Sequence, residues 1–147
     1  METLKVVCPE CNSVNTIQTQ VGAESNPCLN CQADLDDPFP VEVTDKSCKV
    51  HITENDIPIL IDFYSTTCGP CMAMYDDYED AALGFALTVR FLKINADKYQ
   101  EVAREYGVSA LPTIISFKKG KEVNRISSQL SQVQLNLWAE SLIQTEV

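Results

Sequence analysis

Six of the seven cysteines in this 147-residue chain fall into three pairs of CxxC spacing: Cys8 with Cys11, Cys28 with Cys31 and Cys68 with Cys71, while Cys48 stands alone. A thiolate is both a soft metal ligand and a nucleophile, so each pair is a candidate for metal binding or for redox chemistry. The first two pairs, Cys8-Pro9-Glu10-Cys11 and Cys28-Leu29-Asn30-Cys31, are separated by residues 12–27. That spacing matches a four-thiolate tetrahedral zinc site in which each knuckle supplies two ligands and the intervening loop closes the tetrahedron. Two disulfides, or iron on the same thiolates, are the alternatives. Four protein ligands leave no open position, so the expected role is structural. The residue after each second cysteine is Asn12 or Gln32, where knuckles often have Gly; Asn tolerates a left-handed turn better than Gln.

The third pair, Thr67-Cys68-Gly69-Pro70-Cys71, lies between an apolar run and an amphipathic one. A cysteine at the start of a helix faces unpaired backbone N–H groups and the positive end of the helix dipole, which favour thiolate. Cys68 is therefore the expected nucleophile. Cys71, one turn into the helix, is placed to attack a mixed disulfide formed at Cys68 and is the expected resolving thiol. A third metal knuckle would need a further ligand pair, which the chain does not offer.

The elements that must hold these thiols are partly visible. Ile57 to Tyr64 is an apolar, β-rich run suited to a central strand, with Asp62 inside it. Met72 to Ala86 reads as one helix, its apolar face formed by Met74, Tyr75, Tyr78, Ala81, Ala82 and Phe85 and its acids, Asp76, Asp77, Glu79 and Asp80, facing water. Thr88 to Ile94 reads as a strand, with Asp97 expected to cap the next helix and Tyr106-Gly107 to end it. Lys119-Gly120 between Thr113–Lys118 and Glu122–Ser127 signals a hairpin, and Ser131 with Gln134 opens a last helix through Ile143. The order β, α, β, α, β, β, α predicts an α/β fold with a mixed sheet covered by helices. Residues 1–34 read as loop-like material needing a staple, 35–40 as a semi-rigid linker with two prolines, and 41–147 as the main domain. His51, the sole histidine, is expected at the surface, and Cys48 is expected to be an ordinary small residue.

A formal charge of −10 argues against binding nucleic acid or anionic lipid, and no segment approaches a membrane span. Met1 to Val7 show neither a basic cluster nor a long apolar stretch, so a cytoplasmic location is expected.

Residues from about 41 to 145 resemble the thioredoxin family, and the chain with its amino-terminal knuckles resembles the zinc-containing thioredoxin 2 type of bacteria. The resemblance rests on the intact CGPC at Cys68 to Cys71, on Asp62 in Ile61-Asp62-Phe63-Tyr64, on Leu111-Pro112-Thr113 and on Lys93 in Leu92-Lys93-Ile94-Asn95. It implies a thioredoxin fold carrying a small zinc-ribbon module. It implies that Pro112 is cis and closes one side of a substrate groove formed with Thr67, Gly69, Pro70 and Leu111, and that Asp62 is a buried acid with Lys93 nearby. A charge in the middle of an apolar strand is costly, so the Asp62 pKa should rise unless the group is paired, and Asp62 can then take the proton of Cys71. The implied activity is protein-disulfide reduction, with disulfide-containing proteins as substrates, an NADPH-dependent thioredoxin reductase as electron donor, one structural zinc per chain and no bound organic cofactor. Thr67, Met72, Asp76 and Ser128 depart from the family's Trp, Lys or Arg, Pro and Gly; the Asp76 change predicts an unkinked helix. The altered groove keeps a second function class in view, a zinc-dependent binding or chaperone-like adaptor.

Overall fold

The structure, a computed structural model, describes residues 3–18 and 26–143. Two strands, β1 (Thr3–Val7) and β2 (Val14–Gln18), pair antiparallel around the first knuckle. The amino-terminal segment thus contains a hairpin where loop was expected, because the single turn of the knuckle sends the chain straight back along itself. A second sheet of five strands has the order β3-β5-β4-β6-β7. Its members are β3 (Val41–Glu42), β4 (Ile59–Tyr64), β5 (Arg90–Asn95), β6 (Thr113–Lys118) and β7 (Lys121–Ile126), with β3, β5 and β4 parallel and β6 and β7 antiparallel. This is the mixed sheet expected from the sequence.

Side chains alternate across β4, and each face is covered by different helices. Ile59, Ile61 and Phe63 pack with Leu92, Ile94 and Ile115 beneath α1 (Asp45–Glu54) and α4 (Gln100–Glu105). Leu60 packs on the other face with Phe91 and Ile114, beneath α3 (Tyr75–Ala82) and α5 (Gln132–Ile143), which contribute Tyr78, Ala81, Leu135 and Trp138. Lys119 and Gly120 both have positive φ, 50° and 83°, as a two-residue hairpin turn requires. The Ser131–Gln134 capping box is closed, with Gln134 N donating to Ser131 Oγ at 3.2 Å and Ser131 N to Gln134 Oε1 at 2.8 Å.

The expected Met72–Ala86 helix is two helices. α2 (Gly69–Ala73) stops at Met74 (φ −84°, ψ −9°) and α3 restarts at Tyr75. Met74, at the junction, is fully buried and its Sδ accepts from Leu130 N at 3.4 Å. Asp97 is not the helix cap either. Asn95 Oδ1 takes the amides of Asp97 and Lys98, Tyr99 occupies the cap position without a side-chain bond, and the Asp97 carboxylate is left for another partner.

His51 is completely buried, not on the surface. Asn55 Nδ2 donates to its Nδ1 at 3.0 Å, and burial, helped by the Arg90 charge, pushes the imidazole down to about 3, so it is neutral. It belongs to a polar seam joining the amino-terminal hairpin to the main sheet. Val7 N donates to Asn55 Oδ1 at 2.7 Å, and the buried Arg90 guanidinium donates to the carbonyls of Val7 (3.3 Å), Leu35 (3.4 Å) and Asp37 (3.4 Å). At the rim Lys5 and Asp56 exchange two further bonds. Leu35, at the start of the expected linker, is fully buried with Val6, Cys8 and Cys28, and Leu87 packs against them. Cys48 is buried too, which pushes its thiol up to about 12 and leaves it unreactive.

Candidate active site and four-cysteine site

The loop after β4 ends at Cys68, the N-cap of α2, whose side chain accepts from Cys71 N at 3.3 Å, and Pro70 follows in the first turn. Proline is suited to that position, where no N–H partner is needed. Cys68 and Cys71 form a disulfide with Cα atoms 5.3 Å apart. Cys68 is partly exposed and Cys71 is buried, so the two sulfurs differ in access as nucleophile and resolving thiol must. Thr67, Gly69 and Pro70 are exposed around them, and a Cβ placed on Gly69 would meet nothing within 4 Å, which leaves the approach open.

Because β6 runs antiparallel to β4, with Thr113 opposite Phe63, the residues entering β6 lie at the same end of the sheet as the cysteine loop. Leu111-Pro112 occupies that place, and its peptide bond is cis. Thr113 Oγ1 donates to Ala110 O at 2.6 Å and is 2.8 Å from Ser127 Oγ. Beside this loop a cleft of about 290 Å³ is lined by Ala96, Asp97, Gln100, Val108 and Leu111 among others. Its wall connects to the cysteine loop: Ser65 Oγ donates to Asp97 Oδ2 at 2.5 Å, lies 3.0 Å from Thr67 Oγ1 and accepts from Thr67 N at 3.2 Å. Neither was expected at the site, since Ser65 reads alone as a polar loop residue and Asp97 as a helix cap.

Asp62 is 3 % exposed, Oδ1 has no hydrogen-bond partner, and desolvation pushes its carboxyl up to about 7, against the pull of Lys93. Lys93 sits opposite it in register on β5 and is 8 % exposed. Its Nζ lies over the rings of Tyr75, 3.9 Å from the centroid, and of Tyr64, 5.0 Å away. Tyr75 is half-exposed, not part of the core face expected of it, because its ring covers this ammonium. Tyr64 donates to Glu42 Oε1 at 2.8 Å.

In the amino-terminal unit the four thiol sulfurs of Cys8, Cys11, Cys28 and Cys31 all lie within 4.8 Å of one another. The Cys8–Cys31 and Cys11–Cys28 sulfurs are both 3.6 Å apart, close to the edge of about 3.8 Å that a tetrahedron with metal–sulfur bonds of about 2.3 Å requires. The two knuckles repeat one backbone pattern. Asn12 N donates to Cys8 O and Cys8 N to Ser13 O; Gln32 N donates to Cys28 O and Cys28 N to Ala33 O. Asn12 (φ 66°) and Gln32 (φ 68°) are both left-handed. Glu10 N donates to Cys8 Sγ, Asn30 N and Asn15 Nδ2 to Cys28 Sγ, and Asn30 Nδ2 to Cys11 Sγ, each at 3.4 Å. N–H groups aimed at sulfur favour thiolate: the Asn30 and Ser13 bonds hold Cys11 down to about 5 and the Cys31 backbone bond lowers Cys28, whereas burial pushes Cys8 up to about 12. The donor set fits a thiolate-bound metal ion.

The geometry agrees with comparison to known proteins. The thioredoxin family model matches residues 39–141. A thioredoxin C-3 of Corynebacterium nephridii is 28 % identical over 141 residues, covering 96 % of this chain and 97 % of that one. A thioredoxin of Porphyra purpurea is 35 % identical over 85 residues, 58 % of this chain and 79 % of the relative. Among solved structures, a mutant thioredoxin from Halobacterium salinarum aligns with a TM-score of 0.68 at 27 % identity, covering 75 % of this chain and 96 % of that one. The chain therefore belongs to the thioredoxin family, and its chemistry is thiol–disulfide exchange of the protein-disulfide reductase type. No helix among the described residues is long and apolar enough to cross a membrane.

Proposed function

We propose that this protein reduces disulfides in other proteins through Cys68 and Cys71, with Asp62 as the proton acceptor. The observation that carries this reading is a partly exposed cysteine at a helix N-cap, bonded to a buried cysteine, above a sheet that holds a buried carboxyl with one oxygen unpartnered. In the reduced protein the Cys68 thiolate attacks one sulfur of a substrate disulfide, forming a mixed disulfide and releasing the other substrate sulfur as thiolate. Cys71 gives its proton to Asp62 and attacks Cys68 Sγ, which releases the second substrate sulfur. Two electrons pass to the substrate, and Cys68 and Cys71 end as a disulfide. Thr67, Gly69, Pro70, Leu111 and Pro112 would line the substrate's path, since all lie at this end of the sheet. Lys93 would tune Asp62 from the neighbouring strand. An NADPH-dependent thioredoxin reductase would return the electrons, and a reducing cytoplasm suits a chain whose other cysteines form no disulfide.

Cys8, Cys11, Cys28 and Cys31 would hold one zinc ion. With four protein ligands its contribution is to cross-link two strands and supply folding free energy. The unit spanning residues 1–34 would then be a zinc ribbon attached through residues 35–40 to the domain 41–147. Reduction of insulin disulfides by a chemical dithiol through this protein tests the reading: turnover lost in Cys68→Ser supports it, and wild-type protein that fails to accelerate the reaction overturns it. That failure would leave the adaptor reading, favoured by Thr67 in place of the family's Trp at the rim of the groove.

A further inference from the structure

Lys93 is the middle member of a row that crosses three parallel strands. β3 and β5 pair Glu42 with Lys93, and β5 and β4 pair Lys93 with Asp62. Residues in register on adjacent strands present their side chains on one face, so acid, base and acid run from the sheet edge to its centre. Exposure falls along the row, from Glu42 on the exposed edge to Lys93 at 8 % and Asp62 at 3 %. The middle of the row is held from both sides. Tyr64, two residues after Asp62 and so on the same face, places its ring under the ammonium while its hydroxyl is tied to Glu42, and Tyr75 of α3 covers it from above.

We propose that Glu42 is a positioning residue which, through Tyr64 and Lys93, sets the pH at which Asp62 gives up its proton, and with it the range in which Cys71 is activated. The inference rests on the reading of Asp62 as the acceptor for Cys71. Other titratable groups facing the row are Tyr78 and Tyr75 of α3, with Glu79 and Asp76 beside the latter, and Lys98 beyond β5. Glu42 raises Asp62 and Lys93 lowers it, so the two act in opposition on the same carboxyl.

The test is a pH titration of the Asp62 carboxyl by carbon-detected NMR on the full oxidised chain, with Asp62→Asn to assign the signal, paired with the pH profile of insulin reduction. Glu42→Gln keeps an acceptor for Tyr64 but removes the charge, and should move the Asp62 midpoint down by about half a unit to one unit. The turnover profile should shift by the same amount. Tyr64→Phe, which keeps the ring and frees the carboxylate, should shift it less. A Glu42→Gln midpoint that stays at the wild-type value or rises, in protein whose circular dichroism is unchanged, overturns the proposal. Because the NMR readout needs no turnover, a moved midpoint in a protein that reduces nothing would uphold the row and sink the reductase reading, whereas turnover with an unmoved midpoint would do the reverse.

Discussion

The two kinds of CxxC segment in this chain share a spacing and differ in everything the spacing does not specify. In each amino-terminal knuckle the residue after the second cysteine turns left-handed, its amide closes on the first cysteine's carbonyl, and the chain turns away, at the first knuckle directly into β2. At Cys68 the same carbonyl is also closed by the residue after the second cysteine, Met72, but there the chain continues as helix. The left-handed turn aims two sulfurs outward at a common point, whereas the helix stacks one sulfur over the other, where they can bond. The four residues of the motif do not decide between a metal knuckle and a redox pair; the conformation of the next residue does.

The largest expected effect separates the pairs by chemistry. Cys68→Ser should abolish disulfide reduction, and Cys71→Ser should accumulate mixed disulfides with substrate, visible as dithiothreitol-sensitive adducts on non-reducing gels. Neither substitution should change the metal content. In the reverse experiment, Cys28→Ser should release zinc and unfold the hairpin while the Cys68–Cys71 pair still forms. Equal loss of turnover in both cases would show that the two regions are one catalytic unit.

The next effect lies at their junction. Arg90→Met leaves two buried carbonyls, of Val7 and Leu35, and the half-buried carbonyl of Asp37 without their donor and should cost about 3–5 kcal/mol in chemical denaturation. Deleting residues 1–34 removes the Val7 carbonyl and lets water reach the guanidinium, so the remaining fragment 35–147 should fold and lose less, while the isolated 1–34 segment should be unfolded without zinc. Circular dichroism of the two fragments with and without zinc checks this.

Asp62→Asn is a third and smaller change, and it is pH-dependent. The Asp62 carboxyl is raised in the folded state to about 7 from an ordinary value of 3.8, so the folded protein binds this proton more tightly than the unfolded chain. The stability associated with that proton is complete below about pH 4 and is lost as pH rises through 7, approaching on the order of 4 kcal/mol by pH 9. Asp62→Asn should therefore raise the melting temperature at pH 9, change it little at pH 4, and slow the resolving step chiefly above about pH 7, where the wild-type carboxyl is ionised and can take the Cys71 proton. The smallest effect returns to the knuckles: Gln32→Gly should stabilise the second knuckle by about 0.5–1 kcal/mol, since a side chain is held at φ 68° there, and the same change at Asn12 in the first should gain less.

What the sequence made legible was local. The apolar run around Asp62, the Lys119-Gly120 hairpin, the Ser131–Gln134 box and the three cysteine pairs each signal through residues near one another in the chain. What it hid depends on contacts between distant segments. His51 looks like a surface histidine until Asn55, and through it Val7, is brought against it. Tyr75 has the spacing of a core residue, yet its ring is spent on a lysine from another strand. Glu42 is an unremarkable strand residue unless the pairing of β3, β5 and β4 is known, because only the register aligns it with Lys93 and Asp62. The contact of Met74 with Leu130 joins positions 56 residues apart and was hidden for the same reason.

The Arg90 seam has a consequence for how the molecule is made. Its bond to Val7 spans 83 positions, and all four knuckle cysteines lie ahead of it in the chain. On the ribosome the knuckles emerge and can gather their thiols early, but the surface against which their hairpin is stapled does not exist until β5 has been synthesised. A pair of reactive CxxC segments is thus exposed together with a third, at Cys68 and Cys71, before the sheet forms. Nascent chains arrested before residue 90 should be far more readily cross-linked by thiol oxidants than chains arrested after it, which places the moment of greatest oxidative vulnerability in translation, not in the finished protein.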